Sequence, residues 1–199
     1  MDTTISDIRK TQIIEAALRK ISKLGCYNIT MDDIAAEAGL SKGGIAYYYS
    51  SKDKLIEETF HVFFNRIFQR SRDTMSGFVD PLSKILSFDW LYDWDDAEVN
   101  MGYQLLFDFM SLAVRDPAFR AIYHEWVNGW IDLLREALEQ GMEQGQFTVT
   151  DTDSTARSIS SIYHGIAMRW YLDRDSHPSE WAVRSFTESI TRLLGLQDN

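Results

Sequence analysis

Residues 30–56 read TMDDIAAEAGLSKGGIAYYYSSKDKLI, and the punctuation of this stretch decides the fold. Thr30 is placed to cap a helix, with Asp33 at the N3 position of a capping box, although Asp is shorter than the usual Glu. The helix this begins is short and ends near Ala38, where Gly39 permits a tight turn. Ser41 can cap a second short helix through Tyr48, and Ser51 can cap the next one. Two short helices joined by a glycine turn, with a packing helix before them, make the arrangement of a helix-turn-helix.

Outward from this stretch the apolar residues keep helical spacing, and no segment shows the sustained alternation of a half-buried strand. Upstream, Ile14, Ala17, Leu18 and Ile21 form one stripe that ends at Leu24-Gly25. Downstream, Ile56, Phe60, Phe63, Phe64 and Ile67 predict a long helix from Lys52 to near Gly77. Asp80-Pro81, Asp116-Pro117 and His177-Pro178 each place proline where a helix can begin. Residues 103–114, YQLLFDFMSLAV, are apolar on nearly every face, which predicts a helix buried in a bundle. Further helices are expected at 117–141, 152–172 and 178–194, and Asp93-Trp94-Asp95-Asp96 is expected to be a solvated loop. The fold class is therefore all-α, with about nine helices.

The chain has 199 residues, 45% of them hydrophobic, which is enough for a sizeable core. Its net charge is −10, but residues 1–54 carry +1 and the rest carry −11. A near-neutral head that can approach phosphate precedes an acidic body that cannot. Cys26 is the single cysteine and is expected to pack in the core, so neither a disulfide framework nor a cysteine zinc site is available. The start MDTTISDIRK lacks a signal-peptide pattern, and no run approaches the ~18 apolar residues of a membrane span. A soluble, cytoplasmic protein with no membrane partner is expected, for which the Asn28-Ile29-Thr30 sequon carries no message.

The second short helix has the chemistry of a DNA reader. Ser41 and Lys42 supply a hydroxyl and a cation, and Gly43 and Gly44 let backbone amides come close to bases or phosphates. Tyrosine hydroxyls and Lys52 add phosphate donors. The tyrosines Tyr47, Tyr48 and Tyr49 could instead be core with snorkelling hydroxyls. Consecutive helical residues point in different directions, however, so at least one of the three must be exposed.

With these residues in view, residues 10–60 resemble the DNA-binding domain of the TetR (tetracycline repressor) family. The resemblance implies that Thr30 and Ser41 contact phosphate, that Lys42, Gly43 and Tyr47 lie near bases, and that Tyr48 and Lys52 clamp the backbone. Ala46 departs from the family, which commonly has tyrosine there. The implied organisation is a DNA-binding domain over residues 1–54 and a ligand-sensing, dimerising domain over 55–199. The implied function is a homodimeric regulator, a repressor of palindromic double-stranded operator DNA, released by a small-molecule effector. Release and promotion of DNA binding by the effector both fit the residues. The competing reading is a helical adaptor that binds only protein.

Enzymatic readings find little purchase. Gly39-Leu40-Ser41-Lys42-Gly43 fits the G-x-S-x-G elbow of serine hydrolases, but that elbow needs a strand before it and a parallel sheet around it. His61, His124, His164 and His177 show no metal-binding spacing, and no set of nucleophile, base and orienting group is visible. No cofactor is expected.

In the body, Ile159, Ile162, Ile166 and Trp170 form one stripe, and Val183, Phe186, Ile190 and Leu194 form another. By resemblance these are the faces of the last two helices that pair with a second copy; the alternative is that both stripes face only the chain's own core. Aromatic density between residues 78 and 130 suggests an effector cavity lined by Trp90, Trp94, Tyr103, Phe107, Met110, Trp126 and Trp130, together with Tyr163 and His164. From Asp73 to Val114 there are eight acids and one base, so a neutral or cationic hydrophobic effector is expected. Asp108, which interrupts an apolar run, is its candidate counter-ion or else a structural acid hydrogen-bonded to helix ends or a tyrosine, and Arg115, Arg120 or Arg169 turning inward would reverse the preference. The long helix beginning at Lys52 is expected to couple the two domains.

Overall fold

The computed structural model describes residues 5–196. Among them are nine α-helices and no strand: α1 (Ile5–Leu24), α2 (Met31–Ala38), α3 (Lys42–Tyr48), α4 (Lys52–Ser76), α5 (Pro81–Leu86), α6 (Ala97–Arg115), α7 (Pro117–Glu143), α8 (Thr152–Leu172) and α9 (Ser179–Leu193). A 3₁₀ turn, Asp89–Tyr92, lies between α5 and α6. The all-α expectation holds, and no described helix is long and apolar enough to cross a membrane.

The helix boundaries follow the local chemistry. Gly39 takes the left-handed conformation, φ 65°, that closes α2. Pro81 opens α5 beneath the Asp80 carboxylate, which accepts the Ser83 amide at 2.7 Å. Pro178 is not the first helical residue, as expected, but the N-cap of α9, and Ser179 begins the helix. Proline loses no helical hydrogen bond at either position, so the sequence does not distinguish them.

Two expectations need correction. Residues 103–114 are not buried on nearly every face: Tyr103, Leu105, Phe109 and Ala113 are buried, whereas Gln104 and Val114 are exposed. An apolar composition can fill a buried stripe and still leave apolar residues outside it. Nor is Asp93–Asp96 a plain solvated loop. Asp96 accepts the amides of Glu98 and Val99 at the start of α6 and pairs with Arg70 at 2.8 Å, while Trp94 stacks on Tyr171.

Packing divides the chain into two units. One takes the chain up to Arg66 with Met101–His124, and the other takes Ile67–Asn100 with the chain from Glu125 onward. In the first, Ile13, Ala17, Leu18 and Ile21 of α1 are buried together with Ile34 and Ala38 of α2 and Ile45 of α3. Phe60 and Phe64 meet Phe109 with ring centroids 4.8 and 4.6 Å apart. In the second, Phe88, Tyr92, Trp130, Tyr163, Trp170 and Phe186 form the aromatic core. There the Tyr163 hydroxyl donates to the Ile85 carbonyl at 2.6 Å, and the Tyr92 hydroxyl donates to the Tyr163 carbonyl at 3.1 Å. These bonds satisfy phenols that burial would otherwise penalise.

Candidate nucleic-acid interface

The capping box at Thr30 forms as its residues require. The Thr30 hydroxyl oxygen accepts the Asp33 amide at 3.1 Å, and the Asp33 carboxylate accepts the Thr30 amide at 2.8 Å and its hydroxyl at 2.6 Å. These bonds hold the Asp33 carboxyl below its ordinary pKa. They also engage the hydroxyl expected to meet phosphate. Arg19 and Lys20 of α1 pair with Glu37 at 2.8 and 3.5 Å, bracing α2 against α1.

Helix α3 begins at Ser41, whose hydroxyl oxygen accepts the Gly44 amide at 3.1 Å. It is seated by one residue: Ile45 is fully buried. Turning about that anchor, Ser41, Lys42, Gly43, Ala46 and Tyr47 are exposed, Gly44 and Tyr48 are half-buried, and Tyr49 is buried. Tyr47 is 83% exposed and meets the edge of Tyr48 at 5.0 Å between ring centroids. The three consecutive tyrosines thus divide into a surface residue, a rim residue and a core residue, as helical geometry demands. Burial, reinforced by nearby Glu58, pushes the Tyr49 phenol well above its usual pKa.

Two details were not legible in the sequence. The Lys42 ammonium lies 2.9 Å from the Asp32 carboxylate of α2. Lys52, expected to clamp phosphate, is half-buried, and its ammonium lies 3.4 Å from the Tyr27 carbonyl in the loop after α1.

The residues expected to bind an effector fall in both units. Tyr103, Phe107, Asp108 and Met110 lie in the first. There Asp108 is a structural acid: its carboxylate accepts the Cys26 amide just beyond the C-terminus of α1. Burial first, and Asp108 second, push the Cys26 thiol well above its ordinary pKa, so it is an inert core residue. The other candidates, Trp90, Trp94, Trp126, Trp130, Tyr163 and His164, lie in the second unit. The faces of two of them already carry cations of the protein, with Arg70 4.1 Å from the Trp90 ring centroid and Arg174 4.8 Å from that of Trp94.

Trp126, Trp130 and His164 come together, with the histidine ring 5.1 Å from Trp126 and 6.3 Å from Trp130. His164 Nδ1 lies 2.7 Å from the Ser160 carbonyl, which assigns the proton to Nδ1 and leaves Nε2 as an acceptor. His164 is half-buried, and burial lowers its pKa. The Trp130 indole nitrogen is buried with no hydrogen-bond partner among the described residues.

The expected dimer stripes need a correction as well. Ile159, Trp170, Phe186, Ile190 and Leu194 are buried within the chain itself, and Ile162, Ile166 and Val183 are half-buried. The strongest apolar stripe of each helix serves its own core, leaving those five residues no surface for a second copy. The outward face is carried instead by Ser161, Gly165, Met168 and Leu172 of α8 and Leu193 of α9.

Comparison with known proteins matches both parts of the chain. Residues 13–59 match the model of bacterial regulatory proteins of the tetR family, and residues 95–195 match that of the BetI-type transcriptional repressor C-terminal region. The HTH-type transcriptional regulator BetI of Paraburkholderia xenovorans is 29% identical over 195 residues, covering 96% of each chain. The HTH-type transcriptional repressor KstR2 of Mycobacterium tuberculosis is 24% identical over 168 residues, covering 82% of this chain and 81% of its own. Among solved structures, a transcriptional regulator from Saccharomonospora viridis in complex with choline has the same fold. Its TM-score is 0.82 at 20% identity, covering 93% of this chain and 96% of that one.

Proposed function

This chain belongs to the TetR family of bacterial transcriptional regulators, and on that premise we propose that it represses by binding operator DNA as a homodimer and leaves it when a small effector binds. Regulators of this family are not enzymes. The observation that carries the DNA reading is the exposed face of α3, where Lys42, Gly43 and Tyr47 stand clear of the core on a helix anchored by Ile45. Such a face suits base edges in a major groove, with Ser41 and Tyr48 at its rim for phosphate. On this reading residues 1–54 read DNA and residues 55–199 sense and dimerise. Helix α4, unbroken from Lys52 to Ser76, is the connecting element.

Dimerisation would use the outward face of α8 and α9. Ser161 and Gly165 permit close approach of a second helix, and Met168, Leu172 and Leu193 offer apolar surface. Two heads so held match the two half-sites of a palindrome, spaced by roughly 34 Å or its multiples.

The effector reading is a hydrophobic molecule that is neutral or cationic, held by Trp126, Trp130 and His164 rather than by Asp108. A histidine kept neutral by burial does not repel a cation, and indole faces attract one by roughly 0.5–2 kcal/mol per contact. The choline complex of a fold neighbour supports the cationic form. The test is selection of bound duplexes from a random pool, followed by gel shifts with choline and matched hydroxyl and carboxylate amphiphiles. Failure to enrich any sequence sinks the DNA reading; release by the carboxylate alone sinks the effector class.

A further inference from the structure

We propose that Asp32 is a specificity-determining residue of the DNA interface, one that holds Lys42 away from phosphates and so restrains binding to non-operator DNA. This rests on the DNA-binding reading above. Lys42 is the first residue of α3 and the one cation in that helix, and its ammonium lies 2.9 Å from the Asp32 carboxylate. Both side chains are largely exposed, 70% for Lys42 and 62% for Asp32. Of the adjacent acids on α2, Asp33 is engaged by the capping box, whereas the carboxylate of Asp32 faces Lys42.

An exposed ion pair contributes little to stability, so its consequence lies elsewhere. Any DNA seated on α3 brings phosphates within a Debye length of the Asp32 carboxylate, about 8–10 Å at ordinary salt. If Lys42 swings to a phosphate, it exchanges one anion for another and leaves Asp32 unpaired beside the DNA. A guanine edge is different: it is neutral, so Asp32 does not repel it, and its O6 and N7 accept two N–H groups of the Lys42 ammonium while the third stays on the carboxylate. Asp32 therefore sets a threshold that a base contact passes and a backbone contact does not. The selection acts through a repulsive element rather than an added attraction.

The experiment measures binding of wild type, Asp32→Asn, Lys42→Ala and the double variant to a random-sequence duplex and to a duplex selected by the wild type, across a salt series. Asp32→Asn should tighten random-sequence binding about three- to tenfold at low salt and steepen the slope of log K against log salt by about 0.9, one phosphate's worth. Selected-site affinity should change less, so the ratio of the two falls. In the Lys42→Ala background both the gain and the added slope should disappear. An equal gain in that background, or unchanged affinity and slope in Asp32→Asn alone, overturns the proposal. Loss of selected-site binding with random binding unchanged also overturns it, since Asp32 would then read a base itself. If neither wild type nor any variant binds duplex DNA, the DNA reading fails first, and this proposal with it.

Discussion

The carboxylate of Asp108 accepts the backbone amide of Cys26, joining the C-terminal half of α6 to the loop that follows α1. Beside it, Arg115 donates to the Tyr27 hydroxyl at 3.0 Å in the same loop. An acid that interrupts an apolar run thus accepts a backbone donor 82 residues earlier.

Asp108→Ala should therefore act on stability. It leaves the Cys26 amide without its acceptor at a cost of about 1–3 kcal/mol. In a chain of this length each kcal/mol lowers Tm by about 2–4 °C. Asp108→Asn keeps an acceptor oxygen and should fall between the two. Thermal melts of all three proteins check this, and an Asp108→Ala variant that melts with wild type would contradict the structural role.

Burial lowers the pKa of His164 from its ordinary 6.5, and the sign of the consequence follows. The unfolded chain takes up this proton near pH 6.5, while the folded chain resists it until lower pH. The stability due to neutral His164 is fully present above pH 6.5 and is lost as pH falls through the depressed value. Urea midpoints at pH 7.5 and 5.5 should differ more for wild type than for His164→Gln. The half-buried carboxylates of Asp33 and Glu37, whose pKa values are lowered from 3.8 and 4.5, lose their contribution only as pH falls below those ordinary values and leave this window clear.

Tyr47 and Ile45 separate recognition from folding on one short helix. Tyr47→Ala removes an 83% exposed side chain and should leave Tm within about 1 °C while weakening selected-site DNA more than random DNA. Ile45→Ala empties a fully buried position and should cost about 2–4 kcal/mol, with loss of all DNA binding alike. Paired melts and filter-binding curves distinguish the two patterns. Equal losses on both duplexes for Tyr47→Ala would remove it from the base-reading set.

Gly141 is required by Phe147. A Cβ at position 141 would overlap the Phe147 ring, so Gly141→Ala must displace a ring that is only 6% exposed. The expected cost is about 1–3 kcal/mol. In a Phe147→Leu background the same change should cost markedly less, a coupling that a double-mutant cycle reads directly. Additive losses would show that the ring is not the obstacle.

Met168→Glu tests the dimer face. Met168 is 48% exposed in the single chain, so the change should leave the helical circular dichroism intact while sedimentation reports a monomer. Selected-site affinity should fall by a factor of about 100 or more, since one half-site contact is lost and the arms no longer share effective concentration. A dimer that persists would move the interface elsewhere.

What local chemistry governs is legible in the order of the residues. Thr30 with Asp33, Gly39, Ser41 and Ser51 act within a few residues of themselves, so the helix-turn-helix was readable in outline from their order, and three tyrosines in a row guaranteed an exposed one. The 3₁₀ turn at Asp89–Tyr92 had no comparable signal, and the stripes of α8 and α9 were legible as stripes without showing whether they faced inward. Tertiary structure alone decided that Ile159, Trp170 and Phe186 serve the chain's own core, that Asp108 caps the Cys26 amide, and that Lys42 rests on Asp32. Periodicity reports that a face is apolar or that a charge is present. The partner that satisfies it comes from a distant part of the chain, and only folding brings the two within hydrogen-bonding reach.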